Sequence, residues 1–126
     1  MSFNELKAAL EAGDVVETAD ALADIQYVLS GAVHSFGMGT RFKALFDEVH
    51  RSNMSKACAT LAEAEATVAH YAAKDQPGVI EEVDGVFLVK READGKVLKS
   101  VNYSPAALKP ILDAQPEVDK ENAQQQ

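Results

Sequence analysis

The stretch from Asp14 to Phe36, DVVETADALADIQYVLSGAVHSF, decides how the chain is read. Glu17, Asp20 and Asp24 stand at i, i+3 and i+7, the spacing that sets side chains along one stripe of an α-helix. Leu22, Ile25, Leu29, Val33 and Phe36 form an apolar stripe. Val16, Ala19, Ala21, Ala23, Tyr27 and Val28 fill most of the remaining circumference, leaving Thr18 and Gln26 as the main other polar positions. A helix apolar nearly all round is expected to be central and buried. No lysine or arginine lies between Lys7 and Arg41 to neutralise the acids. Clustered carboxylates at reduced dielectric repel one another, and either take up protons or bind a cation. Their oxygens are hard ligands, suited to Mg²⁺ or Mn²⁺. Glu5, one helix earlier, is a further candidate ligand if the two helices pack antiparallel across Gly13. A plainer account stands beside this one. Glu17 can be the third-position partner of an Asp14 cap, and Glu5 that of Ser2, since acids favour the first helical turn. Asp24 lies past that turn and is not explained so simply.

Outward from this helix the order of elements follows from local signals. Ser2 with Glu5 predicts a helix from Phe3 to Glu11, closed by Gly13. The long helix is capped by Asp14 and ends near Phe36, before Gly37 and Gly39. Thr40 is expected to cap a third helix, Arg41 to about Arg51, with Phe42, Leu45, Phe46 and Val49 at helical spacing. Thr60 with Glu63 marks a fourth, Leu61 to Lys74, stopped by Pro77-Gly78. The period then changes. Val79 to Val83, Val86 to Arg91 and Lys96 to Val101 read as three short strands joined by Asp84-Gly85 and Asp94-Gly95, the dipeptide of tight hairpins. Pro105 starts a last short helix to about Leu112, and residues 115–126 are expected to be a disordered polar tail. The expected class is mainly α. One domain spans residues 1–114, with a helical half over 3–57 and a helix plus antiparallel β-meander over 60–114.

Bulk properties narrow the function. The chain has 126 residues, 47% hydrophobic and 25% charged, as in an ordinary globular protein. No apolar run reaches the roughly 18 residues of a membrane span, and MSFNELK lacks the marks of a secretory signal. A lone Cys58 fits a reducing compartment, so a cytoplasmic location is expected. A net charge of −8 disfavours nucleic acid as a partner but not a small nucleotide bridged by metal ions.

Here the residues resemble a known pattern. The all-α nucleoside triphosphate pyrophosphohydrolases, which include the MazG-like and phosphoribosyl-ATP pyrophosphohydrolase groups, carry E-E-x-x-E on one helix and E-x-x-D on the next. Glu17-Thr18-Ala19-Asp20 matches the second motif within VVETADALADIQYVLSG. FDEVHRSNMSK, Phe46 to Lys56, and DGKVLKSVNYSPAALKPIL, Asp94 to Leu112, are similar to blocks of a phage and bacterial MazG-like subgroup, with ATLAEAEATVAHYAAK as an insertion. On the family pattern Glu5 is the last glutamate of the first motif, and the two preceding ones fall on Met1 and Ser2. The chain is therefore expected to be an N-terminally truncated form that lacks one family ligand at Ser2.

The resemblance implies a helical bundle of the pyrophosphohydrolase type and a Mg²⁺ site on Glu5, Glu17, Asp20 and Asp24. Glu17, Asp20 and Asp24 become the catalytic acids. The substrate is an NTP or dNTP, cut between the α and β phosphates to a nucleoside monophosphate and pyrophosphate. Arg51, Asn53 and Lys56 are candidates for substrate contact, against a plainer role as a polar helix end. His34 and His50 are candidate bases, though lone histidines at helix ends are more often structural. Tyr27 is expected to pack in the core, with base stacking as its alternative. Relatives assemble as dimers or higher oligomers, and a homodimer is expected. The competing reading is a catalytically crippled helical interaction protein of the same fold.

Overall fold

Local end signals set most of the helix boundaries in the computed structural model, which describes residues 3–114. Ser2, expected to cap the first helix, and the tail over residues 115–126 lie outside the described residues. The elements are α1 (Phe3–Glu11), α2 (Val15–Ser35), α3 (Phe42–Met54), α4 (Leu61–Ala72), β1 (Gly78–Val83), β2 (Val86–Arg91), β3 (Val97–Leu98) and α5 (Lys109–Asp113). The class is mainly α with a small antiparallel sheet, as expected. No helix among the described residues is long and apolar enough to cross a membrane.

The described chain forms two compact units, one around residues 3–42 and one over Lys43–Asp113. In the first, α1 turns back on α2 and packs along it. The turn is a Schellman motif. Asp14 N–H donates to Ala9 O at 3.1 Å and Gly13 N–H to Leu10 O at 3.1 Å, with Gly13 at φ +66°. Asp14 then caps α2, accepting from Glu17 N–H at 3.0 Å. One short segment thus ends one helix and starts the next, and the pair buries Ala9 and Ala21. A second Schellman motif at Gly37 ends α2, through Met38 N–H to Val33 O and Gly37 N–H to His34 O.

One expectation fails here. α2 is not buried on all sides: Tyr27 is 83% exposed, Val28 55% and Leu22 51%. One partner helix covers one stripe of α2, and its other apolar residues face outward. Tyr27 accordingly packs in no core among the described residues.

In the second unit β1 and β2 pair through a two-residue turn, Val83 opposite Val86, with Asp84 at φ 50° and Gly85 at φ 83°. Positive φ at both central positions is the type I′ turn that Asp-Gly favours. Asp94-Gly95 behaves differently. Arg91 captures the Asp94 carboxylate at 2.9 and 2.8 Å, and Lys96 N–H donates to Asp94 Oδ1 at 3.1 Å, so the chain makes a wider loop. β3 is only Val97–Leu98, shorter than expected. Beyond it the backbone leaves β2: Ser100 N–H donates to Lys56 O at 3.0 Å and Val101 N–H to Thr67 Oγ1 at 3.2 Å.

Side chains of α3 also delay the last helix, expected from Pro105. Pro105 O, a carbonyl that a helix from Pro105 would use in its own ladder, accepts from Arg51 at 3.2 Å, and Ala107 N–H donates to Glu48 at 2.8 Å. At its other end α3 begins at Phe42, one residue later than expected, and it runs three residues past Arg51. α4 stops earlier than expected, in a Schellman motif with Asp75 at φ 57° (Gln76 N–H to Tyr71 O, Asp75 N–H to Ala72 O).

The core of this unit is Cys58, Ala64, Val89 and Leu98, with Val68, Tyr71, Ile80 and Phe87 packed against it. Thr67 is fully buried within it. Its hydroxyl donates to Glu63 O at 2.8 Å and accepts from Val101 N–H. Glu63, third residue after the Thr60 cap, accepts from Ala59 N–H at 2.6 Å, Ser100 Oγ at 2.6 Å and Asn102 Nδ2 at 2.9 Å. These bonds fix the post-β3 segment to α4. Thr67→Val keeps the shape but leaves the Val101 N–H without its acceptor. It should destabilise the unit by about 1–3 kcal/mol in urea unfolding, whereas a change under about 0.5 kcal/mol would show that this bond contributes little.

Candidate functional site

The α1–α2 hairpin determines which acids meet. Glu5 on α1 and Glu17 on α2 line one concavity of about 420 Å³, together with Ala8, Ala9, Ala12 and Asp14. Small alanines let the helices approach closely, and the Schellman turn brings Glu5 back toward the start of α2. The antiparallel packing anticipated across Gly13 is what joins them. Asp14 is an acid of this concavity that sequence reasoning treated only as a cap. The cue was available, since any residue at the helix junction sits between the two helix ends. One of its oxygens remains committed to Glu17 N–H.

Asp20 and Asp24 lie one and two turns further along α2 and do not line that concavity. Glu5, Glu17, Asp20 and Asp24 are all exposed. Among the described residues no group of three or more acidic, histidine or cysteine side chains closes on one point as a metal cage. The expectation that the acids sit at reduced dielectric on a buried helix is therefore corrected. Water screens them from one another in the single chain. What remains fits a particular kind of metal. Mg²⁺ keeps several of its waters and is held by one or two carboxylates plus substrate phosphates, and not by a protein cage. Glu5 and Glu17 supply two hard oxygen donors in one concavity, which suits that mode.

Two further hollows lie on the same unit. Phe3, Ile25, Val28, Leu29 and Ala32 line one. Gln26, Leu29, Ser30, Val33, His34, Gly39 and Phe42 line the other, so His34 faces a mixed surface and not the acids.

Arg51, Asn53 and Lys56 belong to the second unit, at the end of α3 and the turn after it. Asn53 is exposed. Arg51 grips Glu48 with two bonds, at 2.6 and 2.9 Å, and its third contact is Pro105 O. Its guanidinium thus already has a structural task, tying α3 to the segment before α5. His50 lies parallel to the Phe46 ring with centroids 6.4 Å apart.

Glu48 gains from the same clamp. The Arg51 hydrogen bond, with help from Ala107 N–H, lowers its carboxyl from an ordinary value of 4.5 to about 2. A depressed carboxyl contributes stability that is fully present above its ordinary value and is lost as pH falls through the folded one. Glu48→Gln should therefore be less stable than the parent at neutral pH, and the difference should close between pH 4.5 and about 2. Denaturant unfolding across that range checks it. A difference independent of pH would mean that the carboxylate charge plays no part.

The family model for phosphoribosyl-ATP pyrophosphohydrolase matches residues 2–53. That span takes in α1, α2 and nearly all of α3, with Glu5, Glu17, Asp20 and Asp24 inside it. No curated protein and no solved structure matches the chain. The helical front of this chain is thus recognised by the pyrophosphohydrolase family to which its E-x-x-D helix pointed.

Proposed function

We propose that the protein is a nucleoside triphosphate pyrophosphohydrolase of the MazG-like kind, cutting an NTP or dNTP between the α and β phosphates. The observation that carries this reading is the meeting of Glu5 and Glu17 on a hairpin that the family model spans. Mg²⁺, when bound, supplies charge neutralisation for the triphosphate and acidity to a bound water. Glu5 and Glu17 would hold it, with Asp20 and Asp24, one and two turns further along α2, as additional acids. The carboxylates keep the reacting end polar while the neighbouring alanines keep the floor close and small. Asn53 and Lys56 are proposed to contact the substrate, and Arg51 to support them through its clamp on Glu48.

Asp20→Ala should lower metal-dependent pyrophosphate release by about 10²-fold or more while leaving the helical signal unchanged. Equal rates in parent and variant would remove Asp20 from the machinery. A second reading is a helical interaction protein without activity, favoured by Met1 and Ser2 at the two positions where the family pattern has glutamates. Ser2→Glu separates the two, because activity that emerges only with glutamate there would identify the parent as crippled.

We also propose that the protein works as a homodimer through α2. Its outward apolar residues, Leu22, Tyr27, Val28 and Leu29 among them, would be covered by a second copy and the neighbouring acids brought to lower dielectric. Light scattering at micromolar concentration should give twice the chain mass. Val28→Asp should shift it toward the monomer, and a monomeric parent would contradict the assembly.

A further inference from the structure

The small sheet of the second unit leaves one edge open. Cys58 brackets Phe87, exchanging both backbone bonds with it at 2.7 and 2.8 Å, so the Phe87 amide and carbonyl point away from β1. Arg91 N–H likewise points away, to Lys96 O at 2.8 Å. Bonded and non-bonded pairs alternate along an antiparallel ladder. Val86, Leu88 and Lys90 therefore bond to Val83, Glu81 and Val79, their partners in register. Gly78, Ile80 and Glu82, opposite Arg91, Val89 and Phe87, turn their N–H and C=O groups outward. No strand lies beyond β1 among the described residues, and none of these outward groups is hydrogen-bonded there.

Side chains give this edge a definite character. Ile80 is half-buried against the core, while Val79 is 49% exposed. The charge has one sign. Glu81 pairs with Lys90 within the sheet, Glu82 has no ion partner among the described residues, and Asp84 is exposed at the turn. Arg91, opposite Gly78, is already bound to Asp94 and Gln76. An unpaired strand edge is a template for another strand, whose main chain supplies affinity and whose alternate side chains supply specificity. Opposite charges across a strand pair stabilise it, and like charges destabilise it. The register follows from this. Basic residues belong opposite Glu82 and Glu81, and apolar ones opposite Ile80 and Val79. A second copy would bring an acidic edge of its own and a net charge of −8, so a basic segment of another protein is the better complement.

We propose that the free edge of β1 docks an extended segment of another protein, which adds as an antiparallel fourth strand and carries two basic residues followed by two apolar ones. The site uses none of the acids of the first unit, so it does not rest on the hydrolase reading.

The test titrates the full chain with the hexapeptide Thr-Lys-Arg-Val-Val-Thr, blocked at both ends, and follows amide NMR shifts. Shifts should centre on Gly78 to Glu82, with a Kd at or below about 1 mM. Methylating the peptide nitrogens of the lysine, the first valine and the last threonine, which face β1, should weaken binding by about tenfold or more. Methylating those of the arginine and the second valine, which face outward, should change it by less than about threefold. A peptide with glutamate at both basic positions should bind about tenfold or more weakly, and Glu82→Lys should weaken the basic peptide by about threefold or more. Glu82 is exposed, so its substitution leaves the fold in place, which the remaining amide spectrum verifies. No shifts at β1, or an equal loss from the two methylation patterns, would overturn the proposal. Shifts of β1 that follow protein concentration without peptide would assign the edge to a second copy, and overturn it as well.

Discussion

The constraint behind this structure is that α2 carries more apolar circumference than one neighbouring helix covers. α1 takes a single stripe, closing over Ala9 and Ala21, and the Schellman turn at Gly13 makes that packing antiparallel. The same packing selects Glu5 and Glu17 as the acids that share a concavity. Architecture and acid geometry therefore have one origin, the short junction Gly13-Asp14. The stripes left open have the composition of a core and the exposure of a surface. That contrast is the physical basis for placing a second copy against them, and for relating the dielectric of the acids to assembly.

The second unit is organised by hydrogen bonds more than by bulk. Its buried apolar group is small, Cys58, Ala64, Val89 and Leu98. Thr67 and Glu63 complete it by binding the chain as it leaves β3. Buried polar groups that are fully partnered specify one arrangement of the backbone. Here they turn the segment from Lys99 to Tyr103 away from the sheet and toward the end of α3. The Arg51–Glu48 clamp acts alike on the segment before α5.

Much of the fold was legible because its signals are local. The Asp14 and Thr60 caps, the Gly13 and Gly37 stops, and the Asp84-Gly85 turn each depend on a few adjacent residues, and each stands where the sequence put it. The features that escaped depend on distant partners. β3 ends early because Lys56 and Thr67 claim its next amides, and residues 105–108 are not helical because α3 side chains bind them. Asp94-Gly95 widened because Arg91 competes for the aspartate. At the candidate site, the pairing of Glu5 with Glu17 followed from helix spacing and one turn. The exposure of α2 did not, since an apolar circumference shows what a helix is suited to bury and not what lies against it.

The central claim is that the acids of the α1–α2 hairpin serve cleavage of a nucleoside triphosphate at the α–β junction. Phosphorus NMR of the products, from a panel of NTPs and dNTPs with Mg²⁺, tests it most directly. The account predicts a nucleoside monophosphate and pyrophosphate in equal amounts, and no product with chelator. Orthophosphate with a nucleoside diphosphate, or no turnover of any nucleotide by the folded protein, would contradict it.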